Sequence, residues 1–342
     1  MKDLILVTGG TGYIGSHTAV ELINEGYDVI IVDNLANSTA DSLDGIEKIT
    51  GVRPAFEQFD LCDKSLLEAF FMEHPRLMAI IHFAAYKAVG ESVDQPLKYY
   101  RNNLVSLMNL LECMEQFKVH SMVFSSSCTV YGQSKELPVT ENAPILPAES
   151  PYGNTKQICE EILRDTVHSM PALQVIALRY FNPIGAHPTA LIGELPRGIP
   201  NNLVPFITQT AAGLRGKLKI FGDDYPTPDG SAVRDYINVV DLAKAHVKAI
   251  SRLLDRKNET GLEFFNLGTG RGTSVLEVVK TFEKVTGVPV NYKVVGRRAG
   301  DIVAIWADTT KANQVLGWKA GTSLGDTLLS AWNWEKKLRG IQ

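Results

Sequence analysis

Tyr152 and Lys156 stand four residues apart in the run Ser150, Pro151, Tyr152, Gly153, Asn154, Thr155, Lys156. At the start of a helix, that spacing places a phenol and an ammonium one above the other on a single face. Ser150 and Pro151 provide such a start, a hydroxyl that can cap free N–H groups and a residue whose missing N–H costs nothing in the first turn. The pair can do acid–base chemistry. A free tyrosine titrates near pH 10, so a base working near neutrality needs its phenolate favoured by roughly 3 units, about 4 kcal/mol, which a nearby cation helps to supply. Ser127, which closes the apolar run from Met122 to Phe124, can hydrogen-bond a substrate hydroxyl beside that phenol. Tyr-x-x-x-Lys is a common spacing, so the residues gain meaning only from the elements that position them.

Those elements begin at the N-terminus. Residues 4–7 read as a buried strand that runs into Thr8, Gly9, Gly10, Thr11, Gly12, Tyr13, Ile14 and Gly15, then into an apolar-periodic helix. Glycines at 9, 12 and 15 let backbone approach a pyrophosphate, whose charge meets the N–H groups of a helix N-terminus. A second strand, 28–32, ends in Asp33, 18 residues after Gly15, where a carboxylate can accept hydrogen bonds from an adenosine ribose. The first arginine in the chain is Arg53 and Lys48 is the only basic residue between it and Asp33. With no guanidinium near the end of the second strand and a carboxylate that repels a 2′-phosphate, the stretch favours NAD over NADP.

Strand and helix continue to alternate: strands at 55–59 and 78–85, a helix at 97–117, strands at 121–127 and 174–181 on either side of the Tyr152 helix. This pattern predicts an α/β fold, a Rossmann-type doubly wound parallel sheet whose carboxyl-end loops form the ligand crevice. Those loops carry Asp60 and Leu61, then Phe83 to Lys87, then Ser125 to Ser127. From 182 to about 234 the chain is rich in Pro and Gly and reads as loops with one helix near 204–214 and one strand near 218–221. The expected division is an NAD-binding domain at 1–182, with returning segments near 235–254 and 264–286, and a smaller, discontinuous α/β substrate-binding domain mainly in 183–342.

With 342 residues, 45% of them hydrophobic, the chain can bury a large core, and its net charge of −4 gives no reason to bind nucleic acid or an anionic membrane. No apolar run is long enough for a signal peptide or a membrane span. The four scattered cysteines form no C-x-x-C pair, which fits reduced thiols and a cytoplasmic setting, and the histidines show no metal-ligand spacing.

The motifs TGGTGYIGSH and SPYGNTK, with Asp33 and Ser127, resemble the extended short-chain dehydrogenase/reductase superfamily. RYFNPIGAHP, GIPNNLVPF, KIFGDDYPTPDGSAVRDYI, FFNLGTGRGTSV and RRAGDIVAIWAD, in order along nearly the whole chain, resemble the UDP-galactose 4-epimerase family within it. That resemblance implies interconversion of UDP-galactose and UDP-glucose, with a tightly held NAD oxidising C4 and returning the hydride after the 4-keto sugar turns over. It implies Tyr152 as the base, Lys156 as the residue that lowers its pKa alongside the cationic nicotinamide and holds the nicotinamide ribose, and Ser127 as a second hydroxyl at the sugar's 4-oxygen. It assigns Gly9, Gly12, Tyr13, Ile14 and Gly15 to the pyrophosphate, and Asp33, Asn34, Leu35, Ala36, Asn37 and Ser38 to the adenosine ribose. Asp60 and Leu61 map to the adenine, and Phe83, Ala84, Ala85, Tyr86, Lys87, Asn102 and Phe181 to further cofactor contacts. Arg234 and Arg298 map to the UDP diphosphate; Asn182, Asn202, Leu203, Lys219, Ile220, Phe221 and Asp301 map to the other nucleotide contacts.

Two positions depart from the family pattern. Ile305 stands where glucose-specific relatives often carry Tyr and dual-specificity relatives a small residue; the expected preference is for glucose and galactose, with N-acetylated sugars the alternative. Cys128 follows Ser127 where Ala is usual. Nucleotide-sugar dehydratases need Asp and Glu where this chain has Cys128 and Thr129. A non-catalytic NAD-sensing regulator is the other rival, and retention of Tyr152, Lys156 and Ser127 together argues against it. Leu104, Leu107, Leu111, Ile158 and Ile162, at helical spacing, give two helices wide apolar faces; the resemblance implies that these helices pair into a homodimer, with burial against the sheet as the alternative.

Overall fold

The computed structural model describes residues 2–297 and 301–341. Its centre is a seven-stranded parallel sheet of Leu4–Thr8 (β1), Asp28–Val32 (β2), Ala55–Glu57 (β3), Leu77–His82 (β4), Ser121–Ser127 (β5), Gln174–Tyr180 (β6) and Leu262–Leu267 (β7). The strands read as nearly continuous apolar runs because helices cover both faces. Ile5, Val7, Ile31 and Ile81 point to the face covered by helices Tyr13–Asn24 and Val239–Leu254. Leu6, Ile30 and Ile80 point to the other, where Phe70, Leu107, Met114 and Leu163 come from helices Lys64–Glu73, Pro96–Phe117 and Pro151–Ser169. The expected return of 264–267 to the sheet is observed as β7, paired with β6.

In space the strands run β7-β6-β5-β4-β1-β2-β3, so the winding reverses between β1 and β4. Loops after those two strands diverge there and open a crevice at their carboxyl ends. The turn after β1 is tied to both neighbours, with Gly9 N donating to Val32 O at 2.8 Å and Phe83 N to Thr8 O at 3.1 Å.

A further core gathers Ile184, Val204, Ile207, Ile220, Phe282, Leu328 and Trp332 beneath helices Leu203–Ala211, Val275–Thr286 and Leu324–Arg339. Short strands link this region to the crevice. Asn182–Ile184 pairs with Tyr236–Asn238, and Val233–Arg234 pairs with both Thr273–Ser274 and Ala304–Ile305. Two- and three-residue strands carry no visible periodicity, which is why 182–184 and 233–234 read as loop in the sequence.

Of the residues expected on a docking face, Leu107 and Leu111 are buried against the sheet, whereas Leu104, Ile158 and Ile162 are partly exposed. Leu97 and Met108, on the same long helix, are 79% and 41% exposed. Among the described residues no helix is long and apolar enough to cross a membrane.

Candidate active site

The helix that carries Tyr152 and Lys156 starts as its residues dictate: Ser150 Oγ accepts from Gly153 N at 3.1 Å and Pro151 occupies the first turn. One turn beyond Lys156, Glu160 sets the helix against β5. Its Oε1 accepts from Ser126 Oγ at 2.6 Å, and Arg179 on β6 grips the same carboxylate through Nε at 2.9 Å and Nη2 at 2.6 Å. On the other side, Asn103 Nδ2 donates to Thr155 Oγ1 at 3.1 Å and to Tyr86 O at 3.0 Å, while Asn103 Oδ1 accepts from Tyr86 N at 2.9 Å. The helix, β5 and the loop 83–87 are thereby locked together, and Ser127 comes against the Tyr152 phenol.

Burial dominates the electrostatics of this cluster. Desolvation raises the Tyr152 pKa well above the usual tyrosine value, the neighbouring Tyr180 adds to the rise, and a hydrogen bond from Ser127 opposes it. Desolvation also lowers Lys156 to about 8, against the pull of Cys159 and Glu160. Lys156 Nζ donates to Ser125 O at 2.6 Å and lies 4.8 Å from the centre of the Phe124 ring. Burial thus opposes ionisation of both groups, because packing strips water from the phenolate and from the ammonium, which donates to a carbonyl.

The glycine turn fits a pyrophosphate. Gly9 has φ +68°, and a Cβ there would lie 2.8 Å from Ala84 N; one on Gly15 would lie 2.4 Å from Gly9 O. Only glycine lets backbone pack this closely at the N-terminus of helix Tyr13–Asn24. Asp33 is 8% exposed, and its carboxylate accepts from Thr11 N at 3.3 Å, Leu35 N at 2.9 Å and Ser38 Oγ at 3.1 Å. Asn34 Nδ2 donates to Asp60 Oδ2 at 2.9 Å, joining two loops expected to face the adenosine. Leu61 is buried, with its carbonyl accepting from Asn109 Nδ2 at 2.9 Å. Asn102 bonds to Asn103 Oδ1 at 2.9 Å behind them.

One premise from the sequence is corrected here. A guanidinium does reach the end of the second strand: Arg197, 159 residues beyond Ser38, donates to Ala36 O at 3.1 Å and to Ser38 O. Distance along the chain concealed it. Two of its N–H groups are held by carbonyls and Asp33 stays in place, so the preference for an unphosphorylated ribose rests on the carboxylate.

The substrate-side residues group in part. Arg234 Nη2 bonds Asp301 Oδ1, and Arg234 lies in register with Ile305 across paired strands. Ile305 is 4% exposed in an apolar cluster with Val130, Tyr131, Val139 and Phe181, against which Cys128 packs. Desolvation, the leading cause, holds the Cys128 thiol up to about 12. Asn182 Nδ2 donates to Asp235 O at 3.1 Å. Asn202 Nδ2 donates to Glu194 Oε1 at 2.6 Å, and Lys87 Nζ lies 3.7 Å from the same oxygen, so Glu194 sits between the two groups of loops. Leu203 opens its helix, and Lys219 and Phe221 are exposed on a strand paired with Tyr292–Val295. Ile220 points instead into the core at 1% exposure, because the strand alternates. Arg298 lies outside the described residues.

Sequence reasoning missed Asn103, Glu160, Glu194 and Arg197. Glu160 was within reach, four residues after Lys156 on the Tyr152 face. Asn103 shows as a polar residue on an apolar helix face, whereas Glu194 and Arg197 carry no local signal. Glu57, Glu73 and His74 also come together, with His74 Nε2 2.7 Å from Glu57 Oε1, at the edge of the sheet.

Comparisons with known proteins agree along nearly the whole chain. The family model described as GDP-mannose 4,6 dehydratase matches residues 6–330. A UDP-glucose 4-epimerase of Bacillus subtilis is 52% identical, over 97% of this chain and 96% of its own. The crystal structure of UDP-glucose 4-epimerase from Bifidobacterium longum in complex with NAD+ and UDP is 47% identical, with a TM-score of 0.94, over 99% of this chain and 100% of its own. The enzyme of that name from Stenotrophomonas maltophila, with bound NAD and formylated UDP-arabinopyranose, is 47% identical with a TM-score of 0.95, over 99% of each chain.

Proposed function

Because the chain belongs to the UDP-glucose 4-epimerase family, we infer that Tyr152, Lys156 and Ser127 do the proton work of its reaction. The protein is an NAD-dependent isomerase that interconverts UDP-galactose and UDP-glucose. The reading of the three residues is supported by the seating of their helix, which Glu160 and Asn103 fasten to the strand of Ser127 and to the loop 83–87.

Bound NAD supplies reversible oxidation at C4 of the sugar. Gly9, Gly12, Tyr13, Ile14 and Gly15 hold its pyrophosphate, Asp33 to Ser38 its adenosine ribose, and Asp60 and Leu61 its adenine. Phe83 to Lys87, Asn102 and Phe181 complete the cofactor site. Ser127 holds the 4-hydroxyl of the sugar, and the Tyr152 oxygen takes its proton and later returns it. The phenolate needs positive charge to form in so desolvated a place, and Lys156 is the residue of this chain able to supply it once its ammonium leaves the Ser125 carbonyl. The sugar must turn while the nucleotide stays, so binding energy belongs on the UDP. Arg234 and Arg298 carry the diphosphate; Asn182, Asn202, Leu203, Lys219 to Phe221 and Asp301 carry the rest.

Ile305 limits the sugar pocket, giving a preference for unsubstituted hexoses over N-acetylated ones. Elimination as in a dehydratase lacks its acid, since Cys128 and Thr129 occupy the positions that would supply it. The domain division is 1–182, with returns near 235–254 and 264–286, against 183–342. The partly exposed Leu104, Ile158 and Ile162, beside exposed Leu97 and Met108, form a homodimer face. The setting is cytoplasmic.

Incubating the purified protein with UDP-galactose and, separately, UDP-N-acetylgalactosamine, with products resolved by proton NMR, tests reaction and specificity together. UDP-glucose from the first and little product from the second is expected; comparable turnover of both overturns the preference.

A further inference from the structure

Residues 185–202 leave the short strand at Asn182–Ile184 and cross back over the sheet domain as a strap. Both ends of its central stretch are fixed from the far region. Gly193 lies so close to the Trp334 indole that a Cβ would come within 2.5 Å of the ring, and Trp334 Nε1 donates to Glu194 O at 3.0 Å. Arg215 Nη2 donates to Gly198 O at 2.7 Å. Between these anchors the Arg197 guanidinium extends to the carbonyls of Ala36 and Ser38.

The loop it reaches is the one framing Asp33. That loop is held in a conformation a free chain resists: Leu35 has φ +57°, in the left-handed region that non-glycine residues seldom adopt. Its internal hydrogen bonds converge on Asp33, which accepts from Leu35 N and Ser38 Oγ, with Thr11 Oγ1 2.7 Å from Ser38 Oγ. Holding Ala36 and Ser38 in place thus holds the carboxylate and its approach.

We propose that Arg197 is a cofactor-retaining residue, fastening the adenosine-ribose loop from the strap and slowing release of the dinucleotide. The proposal rests on the reading of Asp33 as the ribose carboxylate. Charge-assisted bonds to two carbonyls of one loop close it with a planar, forked donor that lysine cannot reproduce. Arg197 is a positioning residue, acting through the loop and its acid.

The test measures NAD release from holoenzyme as purified, diluted into an enzymatic trap that consumes free NAD, for the unsubstituted protein, Arg197→Ala, Arg197→Lys and Asp33→Ala. Thermal denaturation with and without added NAD gives a second readout. Release about ten-fold faster from Arg197→Ala, with Arg197→Lys between, and a smaller NAD-induced rise in Tm for Arg197→Ala, is the expected result. Release from Arg197→Ala within two-fold of the unsubstituted protein, while Asp33→Ala releases faster, overturns the proposal and leaves the ribose reading standing. Unchanged release from both variants overturns the two together.

Discussion

Glu160 Oε1 accepts from Ser126 Oγ at 2.6 Å, and through that bond the helix of the proposed base is pinned to the strand of the proposed second hydroxyl. Ser126 and Ser127 are adjacent, and Glu160 continues the face of Tyr152 and Lys156 by one more turn, so a single carboxylate sets the distance between the two halves of the proton-handling group.

Replacing Glu160 by Ala leaves Arg179 buried without its partner. Breaking a buried pair on one side costs about 3–5 kcal/mol, so the urea midpoint should fall by that equivalent. Glu160→Gln keeps an acceptor for Ser126 and should lose less stability and less kcat, whereas Glu160→Ala should lower kcat more than it changes KM, because the helix rather than the nucleotide site is misplaced. Equal kcat in the folded Gln and Ala variants and the unsubstituted protein would show that the pin does not govern the reaction.

Lys156 makes stability depend on pH. Its ammonium is harder to keep protonated in the folded protein, where it titrates near about 8, than in the unfolded chain, near 10.5. Between those values the unfolded chain binds more protons, so the contribution of Lys156 becomes less unfavourable as pH rises, by up to about 3 kcal/mol in all. Compared with Lys156→Met, the unsubstituted protein should gain stability from pH 8 towards 10 in chemical unfolding. A difference constant across that range contradicts a depressed lysine.

The glycine cradle predicts a sharp size limit. A Cβ on Gly15 would stand 2.4 Å from Gly9 O, against backbone that has nowhere to go. Gly15→Ala should purify with much less NAD than the unsubstituted protein, measured by extraction and absorbance. Full NAD content in that variant would place the pyrophosphate elsewhere.

Ile305 is almost wholly buried beside Phe181 and Cys128, in register with Arg234. Ile305→Ala opens space at a cost of about 2–4 kcal/mol in stability. The ratio of kcat/KM for UDP-N-acetylgalactosamine over UDP-galactose should rise at least about ten-fold, a change of 1.4 kcal/mol in relative barrier. An unchanged ratio would move the specificity determinant away from this wall.

Local patterns made most of the scaffold legible. The strands at 28–32 and 121–127 and the cap at Ser150 follow from apolar runs and helix-start residues whose partners lie close in sequence. The short strands at 182–184 and 233–234 escaped because they hold too few residues for a period. The contacts of Arg197 with Ala36 and Ser38, and of Glu194 with Lys87, escaped because the residues they join are separated by more than a hundred positions. The burial that raises Tyr152 and lowers Lys156 also escaped, since four-residue spacing brings an ammonium near a phenol but gives neither the depth of burial nor the Ser125 carbonyl that accepts from Lys156.

The central claim is that the Tyr152 oxygen moves the proton at C4. Its most direct test is Tyr152→Phe, assayed by proton NMR for conversion of UDP-galactose to UDP-glucose with NAD content measured on the same sample. Loss of a positioned general base lowers the rate about 10²- to 10⁴-fold. A fall of that size with NAD content retained is the predicted result; turnover within ten-fold of the unsubstituted protein would contradict it.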